Sequence, residues 1–254
     1  METIGIIAAM SQERDAFLHL IRLWKPAALG QFHCQQFQLF DRDCFLVTSG
    51  MGNTRAAQAT RALIAAIHPQ LLISVGVAGA VHADLEIGDV VAARSTCLLD
   101  HGLPGPFQPL ALLSDAAWQA IVQALQARRA GLYWGTAVTT RGAQIIEQRP
   151  EEMIHPVLEM ETMGIARAAA EEGIAVLSIR AISDGPRAPI PFNLEAMMDE
   201  EDTLRIGEII KTILGHPRMI PQLFRMALNT KMAAQNAAMA LVAALSQPGP
   251  VIFL

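Results

Sequence analysis

Short apolar runs that end in glycine or in a polar turn alternate along this chain with stretches of helical period. Ile4–Ala9 has the look of a buried strand, followed by Ser11 as a helix N-cap. The helix after it is expected to turn an apolar face of Phe17, Leu18, Ile21 and Trp24 inward and to close at Pro26. Two short strands follow, Cys34–Phe40 and Cys44–Thr48. The second leads through a turn at Gly50 and Gly52 into an alanine-rich helix ending near Pro69. Leu71–Val77 is a further buried strand running into Gly76-Val77-Ala78-Gly79, and Val90–Ala93 is another. The pattern then predicts a helix over Asp115–Arg128, a strand over Leu132–Thr139, and a strand Val157–Met160 that passes straight into a helix Thr162–Glu172. Ala175–Ile182 is the last strand, and helices over 194–214 and 218–246 finish the chain.

Apolar strands alternating with helices point to an α/β fold: three α/β/α layers around a mixed central sheet, with an extra C-terminal helix. Residues 1–214 are expected to form one domain and 215–254 a helical extension. Of the 254 residues, 52% are hydrophobic and 17% charged, enough apolar material for a large core. A net charge of -5 without a long Lys/Arg run argues against nucleic acid as the main partner. Cys34, Cys44 and Cys97 are odd in number and lack metal-ligand spacing, so they read as reduced thiols, with no metal and no cofactor expected. The first residues lack a signal-peptide pattern, and no apolar run reaches the ~20 residues of a spanning helix. A soluble cytoplasmic protein is the expectation.

In open α/β sheets, ligands bind beyond the carboxyl ends of the strands. The polar residues at such ends are Glu13, Ser49-Gly50, Gly52, Gly76 to Gly79, Glu159-Met160-Glu161, and Arg180 through Asp184. Each also has a structural reading. Glu13 suits the first turn of a helix, the glycines suit tight turns, Met160 suits a core, and Arg180 with Asp184 suits a buried ion pair. Against these stands the chemistry of Asp184. A carboxyl group closing an apolar strand is desolvated and holds its proton, as an acid catalyst must.

The segments IGIIAAMSQE, SGMGNTRAA, ISVGVAGAVHADLEIGDVV, LEMETMGIARAA and IRAISD occur in one order over roughly the first 215 residues. In that order they resemble the nucleoside phosphorylase/nucleosidase superfamily, and within it the bacterial 5′-methylthioadenosine/S-adenosylhomocysteine nucleosidases. The resemblance implies hydrolysis of an adenine nucleoside. Asp184 would give a proton to purine N7, Glu13 would take one from the attacking water, and Arg180 would hold Glu13 and the water. Glu161 would accept from the ribose hydroxyls, and Met160 would pack on the sugar. Ser183 would support Asp184, while Glu159, Val77, Ala78 and Gly79 would line the nucleoside. It also implies a homodimer.

Ser74 stands where the purine phosphorylases of this superfamily carry an arginine, and their glycine-aspartate-arginine loop is absent from the N-terminus, which favours water over phosphate as nucleophile. Val77 replaces a serine usual in the nucleosidases, VTTRGAQII (138–146) lacks their base-stacking motif, and the 97–115 connection is short. In the tail, Ile220, Leu223, Phe224, Leu228, Met232, Leu241 and Leu245 fall at amphipathic spacing beside Arg218, Arg225 and Lys231. A short loop with such a helix resembles the hopanoid-associated branch, whose substrate is adenosylhopane, and suggests contact with a membrane surface. A purine nucleoside phosphorylase and a non-catalytic nucleoside-binding module remain as alternatives.

Overall fold

The computed structural model of the chain describes residues 2–141, 146–147, 149–187 and 220–253. The strands among them are β1 (Glu2–Ala8), β2 (Lys25–Leu29), β3 (Phe32–Leu39), β4 (Arg42–Thr48), β5 (Leu71–Ala80) and β6 (Val90–Asp100). They continue with β7 (Leu103–Pro104), β8 (Gln108–Pro109), β9 (Leu132–Thr139), β10 (Pro156–Glu159) and β11 (Ala175–Asp184). The helices are α1 (Ser11–Leu18), α2 (Asn53–Ile67), α3 (Asp115–Gln126), α4 (Thr162–Ala170) and α5 (Ile220–Leu245).

One mixed sheet runs in the order β10-β9-β6-β11-β5-β1-β4-β3-β2. Its central members β4, β1, β5 and β11 are mutually parallel, so their carboxyl ends open on one edge. Helices α2 and α4 cover one face through Ala56, Ala59 and Leu63 against Ile165 and Ala169. The other face is covered by α1, α3 and α5, through Phe17, Ile121 and Leu241 among others. The expected three-layer α/β/α arrangement is therefore present.

The sheet also bends back on itself. Besides its parallel partner β9, strand β10 pairs antiparallel with the last two residues of β5, Val157 with Ala80 and Leu158 with Gly79. This closure carries Glu159-Met160-Glu161 to the carboxyl end of β5.

Three local expectations change. Met10, not Ser11, stands at the N-cap of the first helix. The first helix stops at Leu18, leaving Leu23 84% and Trp24 48% exposed. Pro26 does not close that helix. It lies in β2, at the edge of the sheet, where its missing N–H deprives no central ladder.

The C-terminal helix has two unlike halves. Ala233, Ala237, Ala240, Leu241, Ala244 and Leu245 are buried in the same cluster as Ile73 of β5 and Ile179 of β11. Small alanines let the helix lie close to the sheet, so the segment expected as an extension builds a layer of the core. Arg42 fastens its end. The guanidinium donates to the carbonyls of Leu245 at 2.7 Å, Gln247 at 3.0 Å and Gly249, and pairs with Glu2 at 3.0 Å. A cation there offsets the negative end of the helix dipole and satisfies its last carbonyls. The helix expected over 194–214 lies outside the described residues.

Among the described residues, no helix is long and apolar enough to cross a membrane. All three cysteines are buried and unbridged. Burial pushes the Cys34 and Cys97 thiols to about 11 and Cys44 to about 12.

Candidate active site

Strand β1 ends at Ala8, and α1 begins three residues later, at Ser11. Glu13 sits in the first turn of that helix and folds back over its start. Its Oε2 accepts from the backbone N–H groups of Ala9 and Met10, both at 2.9 Å, and its Oε1 accepts from Val77 N–H at 2.9 Å. A carboxylate has about four acceptor sites, so Oε1 keeps about one for a further donor such as water. Burial raises the Glu13 pKa, against the opposing pull of Arg180 and the three N–H groups.

Arg180 is 1% exposed and projects from the middle of β11. A buried guanidinium calls for acceptors on every side; here Nη2 finds them and Nε does not. Its Nη2 reaches Ser74 Oγ at 2.6 Å, Glu159 Oε2 at 2.7 Å and Thr162 Oγ1 at 2.9 Å. Its Nη1 lies 3.7 Å from Glu161 Oε2 and borders Gly76, beside Glu13. The sequence allowed an Arg180–Asp184 pair. The structure instead pairs Arg180 with Glu159 and Glu161, because those acids enter from β10 after the sheet closes.

Glu159 is placed differently from its expected role on the nucleoside. Its side chain is fully buried, and its oxygens accept from Glu161 N–H at 3.0 Å, Thr162 N–H and Oγ1 at 2.8 Å, Thr139 Oγ1 and Arg180. Oε2 takes four of these donors and Oε1 takes Thr139 Oγ1, and the side chain has no exposed surface on which to meet a substrate. Glu161 is freer: Oε1 accepts from Gly52 N–H at 3.0 Å, and Oε2 only faces Arg180. Burial raises its pKa, Arg180 lowers it, and the charges of Glu159 and Glu13 push it up again. Met160 is half-buried between the two acids.

Asp184 ends β11 opposite Gly79 of β5. A Cβ on Gly79 would lie 2.6 Å from Asp184 Oδ2, and one on Gly76 would lie 2.4 Å from Glu13 Oε1. Gly76 and Gly79 therefore mark two stations on one segment, about 10 Å apart at about 3.3 Å per residue. At the first stand Glu13, Arg180 and Glu161, and at the second stands Asp184. Ser183 Oγ–H donates to Asp184 Oδ1 at 2.7 Å and lies 3.4 Å from Ala78 O. Burial raises the Asp184 pKa, and the Ser183 hydroxyl opposes this. A cavity of about 320 Å³, with Leu85, Ile87 and Ile182 in its wall, adjoins the carboxyl group, and an Arg187–Glu86 pair at 3.4 Å stands at its rim.

Val77 contributes its backbone N–H to Glu13, while its side chain packs toward the main core. Ser74, Thr139 and Thr162 escaped the sequence reading as site residues. A signal existed: Ser74 and Ser178 are polar interruptions in apolar strands and stand opposite each other in register.

The family model described as "Phosphorylase superfamily" matches residues 3–214. The chain belongs to that superfamily. Among its curated relatives, a 5′-methylthioadenosine/S-adenosylhomocysteine nucleosidase of Haemophilus influenzae (strain PittEE) is 28% identical over 209 residues, 77% of this chain and 91% of the relative. One from Hydrogenovibrio crunogenus is 36% identical over a shorter stretch, 37% of this chain and 40% of the relative. In fold, the chain is similar to the Neisseria meningitidis 5′-methylthioadenosine/S-adenosylhomocysteine nucleosidase in complex with methylthio-immucillin-A. The TM-score is 0.69 at 21% identity, covering 97% of this chain and 99% of that one. It is also similar to the futalosine hydrolase of Helicobacter pylori, with a TM-score of 0.66 at 19% identity, covering 95% and 96%. In this superfamily member the Ser74 position is closed, for its hydroxyl is buried against Arg180 and Thr162.

Proposed function

We propose that the chain hydrolyses the N-glycosidic bond of an adenine nucleoside and releases free adenine. The observation that carries this is the division of carboxyl groups along residues 76–79. A carboxyl group tied by three backbone N–H groups beside a guanidinium stands at one end, and a carboxyl group facing an apolar cavity stands at the other; burial raises the pKa of both. Breaking an N-glycosidic bond needs both, because charge builds on the sugar while the departing base must be neutralised. Asp184, protonated, gives its proton to purine N7. The C1′–N9 electron pair leaves with the base, and the sugar becomes cationic toward Glu13 and Glu161. Glu13 takes a proton from water as that water bonds to C1′. Glu161 accepts from the ribose hydroxyls, and Met160 packs against the ring.

Water is favoured over phosphate by charge. Arg180 is already shared between Glu159 and Glu161, so a phosphate dianion would meet carboxylates with no free guanidinium from this cluster. Incubation with 5′-methylthioadenosine in phosphate-free buffer should release adenine at a rate that added phosphate does not raise. Release that requires phosphate would overturn hydrolysis.

A second reading concerns the 5′ substituent. On the outer half of α5, Phe224, Leu228 and Met232 are 66%, 51% and 37% exposed and recur every four residues. Arg225 and Lys231 are exposed beside them, and the 26-residue helix carries no acid. Such a surface suits an anionic membrane and a lipid-linked nucleoside such as adenosylhopane. The protein should then float with phosphatidylglycerol vesicles, and Phe224→Asp with Leu228→Asp should abolish flotation while methylthioadenosine cleavage continues. Wild-type protein that stays with the soluble fraction would remove this reading.

A further inference from the structure

Four buried charged side chains meet at the first station: Glu13 from α1, Glu159 and Glu161 from the end of β10, and Arg180 from β11. Fully ionised, they are three negative charges against one positive. Such a group is stable only if the single guanidinium is apportioned among the acids and their remaining lone pairs find donors. The apportioning is unequal. One nitrogen, Nη2, makes the close contacts, to Glu159 at 2.7 Å, Ser74 at 2.6 Å and Thr162 at 2.9 Å. The other, Nη1, makes only the 3.7 Å approach to Glu161 and borders Gly76 beside Glu13.

Glu159 is held more firmly than any other acid of the cluster. Thr139 and Thr162 hydroxyls and two backbone N–H groups fix both its oxygens before Arg180 is counted. Thr139 is itself pinned by Met163 N–H at 3.0 Å, and Thr162 lies 3.4 Å from Ser178 Oγ. That much preorganised polarity around a side chain with no route to a ligand needs an explanation other than substrate contact.

We propose that Glu159 is a positioning residue, one that holds Arg180 by its Nη2 edge and so limits how much guanidinium charge reaches Glu13 and Glu161. The proposal rests on the hydrolysis argued above, in which Glu13 must be basic enough to take a proton from water. An Arg180 free to swing fully onto Glu13 would make that carboxylate a weaker base. Glu159 prevents the swing and adds its own negative charge nearby. Ser74 and Thr162 are uncharged groups that accept from Arg180, and Ser178 stands behind Thr162. Cys97 on β6 is near enough to feel the Glu159 charge, but its thiol, at about 11, lies outside the range concerned.

The sign of the effect follows. Glu13 works deprotonated, so activity rises with pH through its pKa and falls again when Asp184 loses its proton. In Glu159→Gln, Glu13 and Glu161 lose a neighbouring negative charge and gain access to Arg180, so both ionise more readily. The acid limb of the kcat/KM profile should move down by about one pH unit. The alkaline limb, set by Asp184 at the far station, should stay. A residue that merely filled space would lower the whole profile without moving one limb. In protein labelled at the glutamate carboxyl carbons, NMR titration should show Glu13 and Glu161 titrating at lower pH in the variant, a readout that needs no turnover. Glu159→Asp keeps the charge but withdraws it by one methylene. It should shift the acid limb the same way by less, and it serves if the glutamine variant does not fold. An acid limb and carboxyl titrations at wild-type positions in either folded variant would overturn the proposal. Failure of the wild type to release adenine without phosphate would overturn hydrolysis instead, leaving the carboxyl titrations to decide the role of Glu159.

Discussion

Replacing Asp184 with asparagine should cut adenine release by roughly 10²–10⁴-fold in kcat, the usual contribution of a placed proton donor, with KM nearly unchanged. Asparagine keeps the shape, and its Oδ1 still accepts from Ser183 Oγ–H, now 2.7 Å from the aspartate. What it lacks is a transferable proton. The same substitution should stabilise the fold at alkaline pH. Burial raises the Asp184 pKa above its unfolded value, so this group's contribution is fully present below the unfolded pKa and is lost as pH rises through the folded one. Asparagine does not titrate, and the Tm of the variant relative to wild type should therefore be higher at pH 8 than at pH 4. Steady-state rates at saturating nucleoside, with thermal melts at both pH values, test the two halves. A kcat within a few-fold of wild type would remove Asp184 as the acid, and an equal Tm difference at both pH values would remove the desolvation argument.

Gly76→Ala should be nearly as damaging although it changes no functional group. The added methyl would sit 2.4 Å from Glu13 Oε1 and 2.6 Å from Arg180 Nη1. Neither side can yield cheaply. Gly76 is in a central strand with Arg180 as its direct partner on β11, and Glu13 is tied by three backbone N–H groups. The carboxylate must shift, and a displacement of about 1 Å at a reacting group costs about 10²-fold. The loss should fall on kcat. Nucleoside binding measured by calorimetry should change far less, because Glu161 keeps its bond from Gly52. Near wild-type kcat in a folded Gly76→Ala protein would show that Glu13 does not act from where the structure places it.

Much of this was legible in the chain. Ile4–Ala9 and Leu71–Val77 are runs that only a sheet covered on both faces can bury, although the glycines expected to close the second, Gly76 and Gly79, lie inside β5. Asp184 after an apolar strand could be read as a desolvated acid from its neighbours alone. Strand β2 was less legible, because Lys25 and Pro26 look like helix punctuation and only edge pairing with β3 makes them a strand. The final helix was legible as a helix but not as two halves. Its apolar spacing continues through Phe224 and Leu245 alike, yet only the second is buried.

By itself, then, the sequence determined most of the succession of strands and helices, a mixed sheet covered on both faces, and the acids that stand at strand ends. These depend on hydrophobic period and on residues near one another in the chain, where local physics is enough. The partners of those acids were decided by the tertiary structure. Glu159 reads like Glu161 in sequence, two residues away, and becomes the tether of Arg180 because β10 closes onto β5 and turns it inward beside Ser74, Thr139 and Thr162. Pairing across so many residues depends on the energy of the closed sheet as a whole, and no local pattern records which way a single carboxylate will face.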